Sequence, residues 1–410
     1  MRQRLKRALT AAAFAGTVVT ATTGWAAGAA QRPVTGPPPG TSSWRADDDL
    51  LGRRLPDPAA SRPEQVRAFF AGLGDRERRA LVHRHPLVVG NLDGAPAAVR
   101  YAANRRALRA GSAHERERAA DPSRTRRERH GAREKAARYE RLLAPGRHIL
   151  AFDPRGRGQV AEVHGDLDAA ERTAVIVPGS DIDLATFDRG GEGRYGRPSG
   201  MATSLRARMA ADAPGTRTAV IAWTGYTTPV GLGPDAATTR LAAAGAPRLE
   251  HFLKGLAATG VPAPAMLCHS YGSVVCGRAA AGLTRREAAD LVVFGSPGMH
   301  AESVRALGTS VRVWAARDPG DWIGNVPNVE FLGLGHGTDP ASDGFGARVV
   351  STAHAGGHTG YLAPGTASLA NFAAITLRSY GEVRCAAPAA APPPSGSCTR
   401  GLTDGGDGAS

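Results

Sequence analysis

Lysine is nearly missing from this chain: only Lys6, Lys135 and Lys254 occur among 410 residues. The formal charge of +14 therefore rests almost wholly on arginine. Together with abundant Ala, Gly and Pro, this reads as the codon usage of a GC-rich genome and not as a site for a polyanion. Aromatics are also scarce, at 5% of the sequence. The most basic stretch, Arg105–Glu140, sets 12 Lys or Arg against 6 Asp or Glu and carries Tyr139 as its one aromatic. It lacks the interleaved rings on which single-stranded nucleic acid stacks, and no zinc-finger or helix-turn-helix pattern accompanies it. Nucleic acid is thereby excluded as a partner. The stretch reads as a solvated helical surface, with contact to an anionic cell envelope as the alternative.

Cysteine numbers four, at no spacing that suits zinc. Cys385 and Cys398 bracket a Pro/Ala/Ser/Gly segment and are expected to close a disulfide loop in an oxidising compartment. Cys268 and Cys276 are compatible with a bond or with two buried thiols. Long apolar runs are absent beyond the start of the chain. There, basic residues 1–7 lead into the small and apolar run Ala8–Val19 and then Ala26–Ala30. That order is a secretory signal peptide over residues 1–30, too short in its apolar part to span a bilayer comfortably. The expectation is a secreted protein. Phosphate-cradling glycine motifs are missing, and so are internal repeats.

What is present falls into four stretches after the signal. Residues 31–60, rich in Pro, Gly and Ser, read as a disordered linker. Residues 61–145 read as an N-terminal helical region packing on the core, with Val66, Phe69, Phe70 and Leu73 at helical spacing. Residues 146–382 form the main domain, and 383–410 a flexible tail. The main domain opens on a β-hairpin, His148–Asp153 and Gln159–His164, joined by Pro154–Gly158. Strands at Thr173–Val177, Thr218–Trp223, Pro264–Cys268, Asp290–Phe294 and Ser310–Ala315 then alternate with helices, the elbow helix at Gly272–Ala281 and others near Ser204–Ala211, Arg248–Ala258, Ala301–Leu307 and Ser368–Arg378. The class is α/β, with a mostly parallel central sheet flanked by helices. The hydrophobic share of 42% suffices for one large domain of about 250–300 residues.

Chemistry concentrates at Cys268-His269-Ser270-Tyr271-Gly272. A serine between a buried strand and a helix of small residues, with glycine two places on, has the layout of a nucleophile elbow; Cys268 stands where the pattern has glycine. A serine hydroxyl is barely ionised at neutral pH, so it needs a base, and the base needs an acid to fix its tautomer. Asp321 follows the Ser310–Ala315 strand and is preferred as the acid to Asp318, which is better placed to cap the turn before Pro319. His358, in a glycine-rich loop before the last helix, is preferred as the base to His354 and His336. His269 is expected to point away from the nucleophile in a structural role. The backbone N–H groups of Tyr271 and Ser180 are the expected oxyanion donors. No metal or organic cofactor is called for.

These motifs, with Arg67–Phe70, Pro86–Gly94, Gly165–Asp168, Val175–Gly179, Trp223–Tyr226 and Gly357–Tyr361, resemble those of an actinobacterial α/β-hydrolase family usually labelled as a domain of unknown function. The resemblance covers roughly residues 60–380. It implies the α/β-hydrolase fold with an N-terminal helical extension, and supports Ser270, Asp321 and His358 as a triad. It departs in Cys268 and in Asp-Trp-Ile at 321–323, where the family more often has Asp-Pro-Ile or Asp-Pro-Val. The expected activity is hydrolysis of an ester, amide or lipid acyl bond through an acyl-enzyme, an ester being preferred to a peptide, and the partner a small-molecule or lipid ester. An acyltransferase would use the same residues. The competing class is a non-catalytic envelope-binding or interaction module on the same fold. Access is expected to be governed by residues 225–247 and the N-terminal helices.

Overall fold

The computed structural model describes residues 30–52, 54–330, 333–387 and 397–404. The signal-peptide reading lies, but for Ala30, outside the described residues. Eight strands form one sheet in the order β1-β2-β4-β3-β5-β6-β7-β8: β1 His148–Asp153, β2 Gln159–Gly165, β3 Arg172–Val177, β4 Thr218–Thr224, β5 Ala265–His269, β6 Asp290–Phe294, β7 Arg312–Ala316 and β8 Arg348–Val349. The β1–β2 and β2–β4 pairs are antiparallel and all later pairs parallel. Strands such as Asp290–Phe294, buried at every position, lack polar alternation because both faces are covered. Successive residues serve opposite faces. Val175, Val177, Met266 and Cys268 join one core cluster, while Ala174, Ile176, Ala265 and Leu267 join the other. The fold is that of the α/β hydrolases.

Helices in chain order are α1 Thr41–Arg45, α2 Pro63–Ala71, α3 Asp75–Arg84, α4 Pro86–Gly90, α5 Ala97–Ala120, α6 Arg126–Leu142, α7 Pro198–Asp212, α8 Pro234–Ala237, α9 Arg240–Ala258, α10 Gly272–Ala279 and α11 Ala367–Leu377. Leu249, Phe252 and Leu253 of α9 share a cluster with Val274 and Val275 of α10. Met201 and Leu205 of α7 share the opposite one with Phe372 and Ile375 of α11. The first four helices build a small third core around Trp44, Phe70, Leu81 and Val88. It is tied to the sheet through α5, where Asn104 Nδ2 donates to Ile149 O and Arg100 Nε to Leu150 O, both at 3.0 Å. The basic stretch is a helical hairpin crossed by several ion pairs. Buried Glu115 takes both Arg118 and Lys135, and Arg116 reaches Glu140.

Two stretches differ from expectation. The described part of residues 31–60 is not a disordered linker. Gln31 N–H donates to Asp235 and its side chain to Thr228 O, each at 2.8 Å, and Val34 N–H donates to Thr227 Oγ1. Further on, the Trp44 indole is buried and donates to Pro56 O at 2.7 Å. Proline and glycine deny this stretch long elements of its own, so its backbone bonds to the domain instead. Nor is the C-terminal part a free tail. Residues 384–386 hydrogen-bond to 349–351, covering the open sheet edge that β8 leaves, and Arg348 donates to Cys398 O. The expected Cys385–Cys398 bond is formed, and so is Cys268–Cys276. Residues 388–396 and 405–410 lie outside the described residues.

Removing the Trp44 ring leaves a cavity in the third core, so Trp44→Ala is expected to cost about 3–5 kcal/mol. Urea unfolding checks this, and an unchanged midpoint would mean that the 31–60 segment does not pack in solution.

Candidate active site

Ser270 follows β5 in the left-handed region, φ 53°, as the tight turn from strand to helix demands. Its amide donates to Phe294 O at 3.0 Å, and the Ser273 hydroxyl donates to Ser270 O at 2.6 Å, so both sides of the turn are held. Glycine at 272 is a matter of space, because a Cβ there would sit 2.4 Å from Val177 O. Cys268 occupies the other expected glycine position, fully buried, and its bond to Cys276 ties the strand end to the second turn of α10. The substitution thus adds a covalent brace to the elbow.

Three side chains distant in sequence meet beyond the strand ends. Nε2 of His358 lies 3.0 Å from Ser270 Oγ, and its Nδ1 lies 2.9 and 3.0 Å from the two carboxylate oxygens of Asp321. With Nδ1–H donating to the carboxylate, Nε2 is left as an acceptor for the serine proton. Asp321 is wholly buried at its side chain. Burial alone would push its pKa up. The hydrogen bond with His358, the Ile323 N–H donating to Oδ1 at 2.9 Å, the charge of His358 and the Tyr361 hydroxyl donating to Oδ2 at 2.8 Å outweigh that and hold it below the usual carboxylate range. Of the expected pair, then, Asp321 and not Asp318 touches the histidine.

Asp318 acts one step away. Its carboxylate accepts the Gly357 N–H at 2.6 Å, fixing the loop that carries His358. His354 is exposed, and His336 is buried with Nε2 donating to Ala236 O at 2.7 Å. His269 does not simply point away. Its ring lies 4.7 Å from that of His358, and its Nε2–H donates to His358 O at 2.8 Å. Burial, reinforced by the adjacent His358, pushes its pKa down to about 3, so a neutral imidazole holds the loop from below. Neither Tyr271 N–H nor Ser180 N–H has a partner among the described residues. Gly179, next to Ser180, abuts the nucleophile: a Cβ on it would stand 2.5 Å from Ser270 Cβ. Residues 225–247 do border the site, Tyr271 hydroxyl donating to Thr238 O at 2.7 Å. The N-terminal helices pack instead on β1 and α9. Among the described residues no cluster of His, Cys, Asp or Glu could hold a metal ion.

Tyr361 was not picked out by the sequence, although it lies within the Gly357–Tyr361 motif. Its hydroxyl also accepts the Asp318 N–H at 2.9 Å, so one phenol orders both carboxylate-bearing residues. A hydrogen bond to a charged group contributes about 1.5–3 kcal/mol. Tyr361→Phe is therefore expected to lower kcat about tenfold. Losing a donor to the carboxylate raises the Asp321 pKa, so the acid limb of the pH–rate profile should move to higher pH. A reduced kcat with an unmoved limb would assign Tyr361 to loop packing alone.

The sequence pattern of the family described as alpha/beta hydrolase matches residues 153–331. Two uncharacterized proteins of Mycobacterium tuberculosis, from two strains, are each 31% identical over 349 residues, covering 72% of this chain and 51% of theirs. The chain spans about half the length of these curated relatives. Among solved structures, 2,6-dihydroxy-pseudo-oxynicotine hydrolase aligns at a TM-score of 0.29 and 11% identity, covering 62% of this chain and 81% of that one. A proline iminopeptidase of Mycobacterium smegmatis aligns at 0.19 and 18% identity, over 36% of this chain and 42% of its own.

Proposed function

The chain belongs to the α/β-hydrolase family, and on that premise we propose that it is a secreted serine hydrolase acting on a carboxylic ester through an acyl-enzyme. The observation that carries this reading is the unbroken line of contacts from Ser270 Oγ through both ring nitrogens of His358 to buried Asp321. Ser270 attacks the acyl carbonyl while His358 takes its proton. The oxyanion that forms is met by the Tyr271 and Ser180 amides, and the leaving alcohol departs with the proton from His358. Water, activated by the same imidazole, then releases the acid and frees the serine. Asp321 keeps Nδ1 protonated throughout and stabilises the imidazolium. Export is supported by the two disulfides, which persist in an oxidising compartment.

A fluorophosphonate probe tests the reading, since it phosphonylates only an activated serine. Wild-type protein should label and Ser270→Ala should not. A folded wild type that stays unlabelled would favour the non-catalytic module instead.

A further inference from the structure

Among the described residues the exposed large apolar side chains are Val230 (54% exposed), Leu232 (63%), Trp322 (41%) and Leu334 (46%), and they fall at one end of the sheet. Val230, Leu232 and Leu334 sit on loops and Trp322 on a 3₁₀ turn, in the segments that follow β4 and β7, at the edge of the sheet where Ser270 lies. Each is one or two residues from a group that borders the site. Asp181 N–H donates to Pro229 O and the Asp181 carboxylate accepts Gly231 N–H, both at 2.8 Å, which fastens the Val230–Leu232 loop to the loop of Ser180. Leu334 bridges Thr238, whose carbonyl takes the Tyr271 hydroxyl. Trp322 follows Asp321 and lays its ring 4.7 Å from that of His358.

Isolated surface hydrophobics call for no explanation, but four on segments that border one site do. A basic arm stands beside them. Residues 189–197 abut the His358 loop, where a Cβ on Gly196 would lie 2.8 Å from Thr359 Cβ. Arg189 and Arg194 are exposed on that arm and make no ion pair among the described residues, Arg194 instead lying over the Tyr195 ring. An apolar rim flanked by unpaired arginines complements a surface with acyl chains inside and anionic headgroups outside.

We propose that the substrate is the acyl ester of a lipid held in an anionic aggregate, onto which this rim docks so that the chain passes directly to Ser270. The assignment rests on the serine-hydrolase reading and narrows it. In the reaction Ser270 Oγ bonds to the acyl carbon as the ester C–O bond breaks. The lipid alcohol leaves with the serine's proton, delivered by His358, and water then frees the fatty acid.

The test joins a binding and a kinetic measurement on the full chain. Inactive Ser270→Ala protein should sediment with phosphatidylcholine vesicles containing phosphatidylglycerol, more weakly with phosphatidylcholine alone, and less as salt rises. A Val230→Ser, Leu232→Ser, Leu334→Ser triple substitution in the same protein should bind the anionic vesicles about tenfold more weakly. In the active protein the triple substitution should leave turnover of dissolved p-nitrophenyl acetate unchanged, yet slow release from vesicle-borne p-nitrophenyl palmitate about tenfold. Turnover of the soluble ester with no vesicle binding, or equal losses on both substrates, would overturn the docking proposal and leave the serine hydrolase standing. Vesicle binding without labelling or turnover of either ester would sink the hydrolase reading, and the substrate assignment with it.

Discussion

Ser270→Ala and His358→Ala proteins are each expected to lose about 10⁴–10⁶ in kcat on a soluble ester, and the double variant should be no slower than the worse single one. Without its hydroxyl the site has no atom to acylate. Without the imidazole the Ser270 proton loses its acceptor, since among the described residues the side-chain nitrogen hydrogen-bonded to Oγ is His358 Nε2, at 3.0 Å. Buried His269 cannot stand in, because its Nε2 is committed to His358 O and its pKa is pushed down to about 3. What remains in each variant is the binding and oxyanion contribution, which all three share, hence the strong non-additivity. Single-turnover and steady-state rates on p-nitrophenyl esters check it. Losses that multiply in the double variant would mean that the two side chains act in separate steps. A Ser270→Ala protein keeping more than about a tenth of the rate would rule the serine out as nucleophile.

How far the sequence reveals this site follows from how local each feature is. The elbow is legible because its requirements lie within eight residues: a buried strand, a serine forced to φ 53°, and a glycine with no room for a Cβ. Parallel strands β3 to β7 are legible for the same reason, each being a short apolar run, and their bounds differ by a residue or two, whereas the two-residue β8, Arg348–Val349, is too short to leave a pattern. Helix α9 extends to Arg240, earlier than periodicity suggests, because Gly245 and Pro247 interrupt the pattern inside it. The helix expected at Ala301–Leu307 is a single 3₁₀ turn, Arg305–Leu307. Composition misled at residues 31–60, where Pro and Gly conceal a buried tryptophan whose ring packs against His85, outside that stretch, and into the third core. Contacts across long separations leave no periodic trace: Tyr361 to Asp321 spans 40 residues and Gly357 to Asp318 spans 39. Two carboxylates three residues apart in one loop cannot be told apart by spacing, and only their partners separate them.

That separation sets the second large expected effect: Asp321→Asn should lower kcat about 10⁴-fold, whereas Asp318→Asn should cost no more than about tenfold. Both Asp321 oxygens already accept protons from elsewhere, Oδ1 from Ile323 N–H and Oδ2 from the Tyr361 hydroxyl, and both face His358 Nδ1. An amide placed there turns one of these acceptors into a donor. Its NH₂ either opposes a protein N–H or O–H, or meets Nδ1 and forces the imidazole proton onto Nε2, where it blocks the serine. Loss of the negative charge also removes stabilisation of the imidazolium. Asp318 accepts one backbone N–H, from Gly357, and an asparagine oxygen can take that same bond, so the His358 loop keeps its anchor. Matched kcat measurements on the two variants, with unfolding curves to show both are folded, decide the matter. A larger loss from Asp318→Asn would move the acid to the other carboxylate and leave the Asp321–His358 contact a structural one.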